Sequence, residues 1–79
     1  MIQKVKKYLK TLTKEEIKKI VQHPDLTEEE RWIIYYTFGE KRMVINTCYK
    51  LSISERQFFI IKDRGLIKLY YILGKTVQF

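Results

Sequence analysis

The sequence predicts an all-α fold, a small domain of about five helices, from three observations. Apolar residues recur at spacings of three and four through most of the 79 positions, the period of a helix with one buried face. Three times a Ser or Thr stands three residues ahead of a Glu or Gln at the start of such a run: Thr13 with Glu16, Thr27 with Glu30, and Ser54 with Gln57. This is the capping-box signature, in which each side chain accepts a hydrogen bond from a backbone N–H that the helix leaves free. Finally, only three Gly and one Pro interrupt a chain that is 46% apolar, a composition that folds rather than stays disordered.

The first helix is expected over residues 2–12, where Ile2, Val5, Tyr8, Leu9 and Leu12 share a face and lysines fill the other. Thr13 opens the second, which buries Ile17, Ile20 and Val21. Pro24 then restricts His23 to extended geometry and marks QHPD as a linker. Thr27 opens the third helix. Glu28 and Glu29 lie in its first turn, where the helix dipole favours anions, and RWIIYYTF leads to Gly39 as a C-cap. A fourth helix is expected over residues 41–51, with Val44, Ile45, Cys48 and Leu51 at helical spacing. The fifth starts at the Ser54 cap and turns Phe58 and Ile61 inward. Beyond Gly65 two continuations are open. One long helix could reach Leu73, or LIKLYYI and TVQF could pair as a short C-terminal β-wing around Gly74 and Lys75. The shared face of Leu66, Leu69, Tyr70 and Leu73 favours the helix.

Charge is distributed in three blocks. Residues 1–22 carry seven Lys against Glu15 and Glu16, a balance of +5. Residues 23–39 set Arg31 against Asp25, Glu28, Glu29 and Glu30, a balance of −3. Residues 40–79 set eight Lys or Arg against Glu40, Glu55 and Asp63, again +5, for a net +7. Two basic blocks around a short acidic one suit a polyanion, nucleic acid before a membrane surface. The basic first helix lacks the Trp or Phe that would anchor its apolar face in a bilayer. Its lysines read as a solvated face or as a clamp on flanking phosphates.

Several classes are not expected. A single domain over residues 1–79 needs most of its large side chains for one core and has little left for an enzyme pocket. One Cys permits no internal disulfide, and His23 as the sole imidazole permits no metal cluster of familiar spacing. No nucleophile, base and orienting group can be assembled, so neither an enzyme nor a cofactor or small-molecule substrate is expected. The N-terminus lacks a signal-peptide apolar run, and nothing approaches the roughly 18 apolar residues of a membrane span. A cytoplasmic protein is the expectation.

The stretch LSISERQFF, from Leu51 to Phe59, carries the most specific pattern. A helix-turn-helix needs a small residue where its two helices cross, then an apolar residue, a turn residue, a second apolar residue, and a capped helix with inward apolar positions. Cys48, Leu51, Ser52, Ile53, Ser54, Phe58 and Ile61 fill those slots in order.

Residues 26–74, from LTEEERWIIYYTFGEKRMVINTCYK through SERQFF to LIKL, resemble promoter-reading region four of bacterial sigma factors. They are more closely similar to small phage transcriptional regulators of the autolysin-regulator type, which are sigma-like in this region. Residues 1–22, the basic N-terminal helical part, lie outside the likeness. The resemblance implies a phage or prophage regulator in which Ser54, Glu55, Arg56 and Gln57 approach base edges. It further implies that Phe59 and Ile60 lie on or near the DNA-facing surface and that Lys62 approaches phosphate. Ser52 stands where the family usually has Gly, and Gly65 where it usually has Ala.

From side-chain chemistry alone, Arg56 can bond guanine O6 and N7 together, Gln57 can bond adenine N6 and N7, and Phe59 can touch a thymine methyl. Lys50, Lys62 and Arg64, helped by Lys41 and Arg42, would supply salt-sensitive attraction to phosphate. One module of this size makes few base contacts. Double-stranded DNA is therefore the expected partner, with either a homodimer or RNA polymerase or another DNA-bound protein assisting. Tyr70, Tyr71 and Phe79 are the expected dimer or partner surface. The rival reading is an adaptor or inhibitor that grips a host protein, such as RNA polymerase, through Phe59 and Ile60.

Overall fold

A computed structural model describes all 79 residues as an all-helical chain without strands. The helices are α1 (Ile2–Lys10), α2 (Lys14–Ile20), α3 (Glu28–Ile34), α4 (Val44–Leu51) and α5 (Glu55–Leu73), with a π-helical turn, Tyr35–Gly39, continuing α3. The radius of gyration, 11.7 Å, matches the ~12 Å of a compact chain of this length. No helix is long and apolar enough to cross a membrane.

All three capping boxes form with both reciprocal bonds. Thr13, Thr27 and Ser54 accept from the N–H three residues on, and Glu16, Glu30 and Gln57 accept from the cap's own N–H at 2.8–3.0 Å. Each fixes a helix start by purely local contacts, worth about 1 kcal/mol per cap. The linker between α2 and α3 is pinned from two sides. His23 Nδ1 accepts the Asp25 N–H at 3.1 Å, and Arg31 Nε donates to the Val21 carbonyl at 2.7 Å.

The core divides into two clusters. The larger contains Val5 and Leu9 of α1, Ile17 of α2, Val21, Leu26, Ile34, Phe38, and Leu66, Leu69 and Leu73 of the back half of α5. The smaller contains Ile33, Cys48, Phe58 and Ile61, with Val44, Leu51 and Ile53 against it. Two elements bridge them. Adjacent Ile33 and Ile34 send α3 into both clusters, and α5 enters the small one with its front half and the large one with its back half.

Gly65 lies near the seam of these clusters and is buried. A Cβ there would stand 2.7 Å from Ile34 Cδ1 and 3.3 Å from Glu30 Cβ. The glycine thus lets α5 approach α3 more closely than any side chain would permit, and the helix runs through it unbroken to Leu73. The alternative β-wing is not formed, because Leu66, Leu69 and Leu73 are buried on a single helical face.

Other boundaries depart from expectation. The third helix does not continue as α-helix to a glycine cap. It passes into the π-helical turn, where the Glu40 N–H reaches the Tyr35 carbonyl at 3.0 Å, and the left-handed residue is Lys41, at φ 55°, rather than Gly39. With Lys41 left-handed, α4 does not begin at residue 41 and starts at Val44 after an extended Met43. Tyr70 and Phe79, two of the three residues expected as a dimer or partner surface, are half-buried and stack on each other at 5.3 Å, and Phe79 also meets Tyr8 edge-on at 6.0 Å. Of that trio only Tyr71 is largely exposed.

Candidate nucleic-acid interface

Three residues, Ser52, Ile53 and Ser54, join α4 to α5. Ser52 is left-handed, at φ 56° and ψ 46°, the conformation usually given to glycine after a helix. Its N–H donates to the Tyr49 carbonyl at 3.3 Å while the Ile53 N–H donates to the Cys48 carbonyl at 3.1 Å. Together these bonds make a Schellman motif, which satisfies the last carbonyls of α4. Ile53 then packs on the small cluster, and Ser54 caps α5 at once. The turn therefore leaves little freedom in how the first turn of α5 is presented.

On that first turn, inward and outward residues separate cleanly. Phe58 is 1% exposed, and Cys48 is buried beside it with its thiol pKa pushed up by burial and, secondarily, by Glu55. Glu55 and Arg56 are exposed and take part in no ion pair. Ser54 and Gln57 are exposed as well, yet their side chains are occupied with each other: Gln57 Oε1 accepts the Ser54 N–H at 3.0 Å. Adenine reading by Gln57 needs both its amide oxygen and its amide nitrogen, so it requires that bond to open. Glu55 and Arg56 are the charged base-reading candidates with no side-chain bond to release.

Phe59 and Ile60 are 44% and 55% exposed. The Phe59 ring meets Phe58 edge-on at 5.1 Å, and Lys62 Nζ lies 4.8 Å from its centroid. Burial, then the charge of Lys6 on α1, lower the Lys62 pKa against a smaller opposing effect of Asp63. Lys6 is thus a basic neighbour that α1 brings to this surface, and spacing within either helix could not have revealed it.

The remaining phosphate candidates fall into two groups. Lys41 is exposed and unpaired, and Lys50 rests over the Tyr36 ring at 5.4 Å with no carboxylate partner. Arg42 is bound to Glu40 and also covers Tyr36, at 5.0 Å. Arg64 Nε donates to Glu30 Oε2 at 2.6 Å, although half of its side chain remains open to water.

Glu30 is fully buried and is the carboxylate on which α5 is hung. Besides Arg64 it accepts from Lys68 Nζ at 2.8 Å, and Lys68 also donates to the Asp25 carbonyl at 3.0 Å. Burial acts to raise the Glu30 pKa. The Lys68 hydrogen bond, then those of the Thr27 N–H and Arg64, outweigh it and hold the pKa at about 2, against an ordinary 4.5. Lys68 was not singled out from the sequence, but two signals were present. Glu30 stands three and four residues before Ile33 and Ile34, on the apolar face of its helix, and Arg64 and Lys68 are spaced as one helical face.

Compared with protein-family models, with curated proteins and with solved structures, the chain matches none of them.

Proposed function

We propose that this protein is a sequence-specific DNA-binding regulator of transcription that inserts the first turn of α5 into the major groove. The observation that carries the reading is the three-residue turn, locked by the Schellman bonds and the Ser54 box, with unpaired Arg56 exposed directly after it. In such an arrangement α4 and α5 act as a helix-turn-helix. Arg56 would pair with a guanine edge and Glu55 could accept from a cytosine amine. Lys41, Lys50 and Lys62 would meet phosphates, with Lys6 extending the basic field. The likeness of residues 26–74 to sigma region four and to small phage regulators supports the same role and a phage or prophage origin.

Selection from randomised duplex DNA over a salt series tests this. An enriched motif whose affinity falls steeply with salt is the expected result. Arg56→Ala should relax preference at one base position by about 1–3 kcal/mol and leave the others intact. Uniform weakening at all positions would remove Arg56 from the reading role.

A second reading has its own observation. Ile45 and Tyr49 on α4 are 64% and 89% exposed, and Phe59 and Ile60 add exposed apolar surface on α5. Apolar residues in such number suit a protein partner, such as a host polymerase subunit. In that case Phe59→Ala abolishes complex formation while Arg56→Ala is nearly silent.

A further inference from the structure

Away from the front of α5, a cleft of about 400 Å³ opens between α2, α3, the π-helical turn and α4. Its walls combine two kinds of chemistry. One wall is aromatic: Trp32 stacks on Tyr36 at 5.5 Å with 20° between the ring planes, and meets Tyr35 edge-on at 6.3 Å. The other kind is cationic: Lys18, Lys50 over the Tyr36 ring, and Arg31, whose Nε donates to the Val21 carbonyl, and none of the three takes part in an ion pair. The one acid in the lining, Glu40, is already held by Arg42 and by Lys14 at 3.6 Å. The free charge of the cleft is therefore positive.

Trp32 lines the cleft and is 39% exposed, so part of its indole is open to solvent there. One of its faces stacks on Tyr36, which leaves the rest of the ring for something else. Two of the aromatic residues, Tyr35 and Tyr36, come from the π-helical turn, a departure from regular α-helix that is frequent at functional sites. A bare phosphate would use the cations and leave the rings idle, and an apolar ligand would do the reverse. A planar base carrying phosphates uses both walls, by stacking and by charge-assisted hydrogen bonds.

We propose that this cleft binds a nucleotide, with the base against Trp32 and the phosphates on Lys18 and Lys50. The cleft shares Lys50 with the proposed duplex contacts but not Lys18 or Trp32, so those two residues separate nucleotide binding from groove reading by α5. A free nucleotide and an unpaired base of a nucleic-acid strand offer the same chemistry, and the test separates them.

Trp32 is the only tryptophan, so its fluorescence reports the cleft directly. The full chain is titrated with ATP, GTP, adenosine, guanosine, tripolyphosphate and a five-nucleotide single strand. The expected result is saturable quenching by ATP or GTP, at least about tenfold tighter than by the matching nucleoside or tripolyphosphate. Lys18→Ala should weaken binding about fivefold and leave duplex binding unchanged, whereas Arg56→Ala leaves nucleotide binding unchanged. Tighter binding of the oligomer than of any free nucleotide assigns the cleft to a strand, and the converse assigns it to a free nucleotide. Tripolyphosphate binding as tightly as ATP, indifference to Lys18→Ala, or no saturable quenching would each overturn the proposal.

Discussion

The two halves of α5 carry similar residues and put them to different use. In the front half Arg56 and Lys62 have no carboxylate partner, and the apolar side is covered by a cluster of only four buried residues. In the back half Arg64 and Lys68 are both bound to buried Glu30, and Leu66, Leu69 and Leu73 join a core of ten. A basic residue on this helix thus becomes a strut or stays free for a partner according to its distance from a single carboxylate on α3. Residue type does not separate the two roles; the packing of α3 against α5 does.

Removing that carboxylate is the largest perturbation of this contrast. Glu30→Ala deletes an acceptor of the Thr27 box and strands two cations at once. Breaking a buried ion pair costs about 3–5 kcal/mol. Arg64 and Lys68 are 51% and 34% exposed and can regain water, so a loss of about 3 kcal/mol is expected in urea unfolding. A loss below about 0.5 kcal/mol, the scale of an ordinary surface change, would mean that the back half does not depend on Glu30.

Acid titration probes the same contact without mutation. The folded pKa of Glu30, about 2, lies below its ordinary 4.5. The unfolded chain therefore binds the proton more readily, and the stabilisation is fully present above about pH 4.5 and lost as pH falls towards 2. The difference corresponds to roughly 3 kcal/mol at most. Unfolding midpoints measured between pH 6 and pH 2 should fall along this limb, and Glu30→Gln should flatten it. An equally steep limb in Glu30→Gln would assign the acid sensitivity to other groups.

Gly65→Ala tests the seam between the halves with a smaller expected effect. Alanine gains about 1 kcal/mol of helix propensity. Its Cβ would stand 2.7 Å from Ile34 Cδ1, in a side chain that is fully buried and poorly placed to yield. Overpacking of this kind costs about 1–3 kcal/mol, so a net loss near 1 kcal/mol is expected by thermal or urea unfolding. A gain in stability would show that Ile34 repacks freely and that α3 and α5 need no glycine between them.

These residues also mark what was legible in the sequence. Every capping box was readable because its partners lie three residues apart and the contact is closed by local backbone geometry. The inward positions Cys48, Phe58 and Ile61 were readable from helical period, whereas Ile45, grouped with Cys48 by the same period, is 64% exposed because the period does not fix where the buried face ends. Glu30 was read only as a helix-start residue, because its second role depends on side chains 34 and 38 residues away. At Gly65 the local pattern leaves helix and β-wing both open, and only the close approach of α3 explains the glycine. The stacking of Phe79 on Tyr70, and its edge-on contact with Tyr8 at the other end of the chain, depend on tertiary packing that no local period reveals. The occupation of Gln57 was implicit in the box itself, since the amide oxygen that caps the helix is one of the two atoms that would read adenine.

The smallest effect belongs to the turn that presents the front half. Ser52 occupies the left-handed region at φ 56°, where an L-residue is disfavoured by roughly 1–2 kcal/mol and glycine is not. Glycine loses more backbone entropy on folding, about 0.5–1 kcal/mol, which offsets part of that gain. Ser52→Gly should therefore stabilise the protein by about 0.5 kcal/mol. The Ser52 side chain makes no hydrogen bond and belongs to neither core cluster, so in the proposed DNA-binding role base preference and the salt dependence of binding should not change. Lys41→Gly supplies the control at the other left-handed position, φ 55°. It relieves a similar strain but removes a charge, and should lower the salt slope by about one if Lys41 meets phosphate. Equal binding behaviour in the two glycine variants would take Lys41 out of the interface, whereas altered base preference in Ser52→Gly would show that the turn, and not only Arg56, sets how α5 enters the groove.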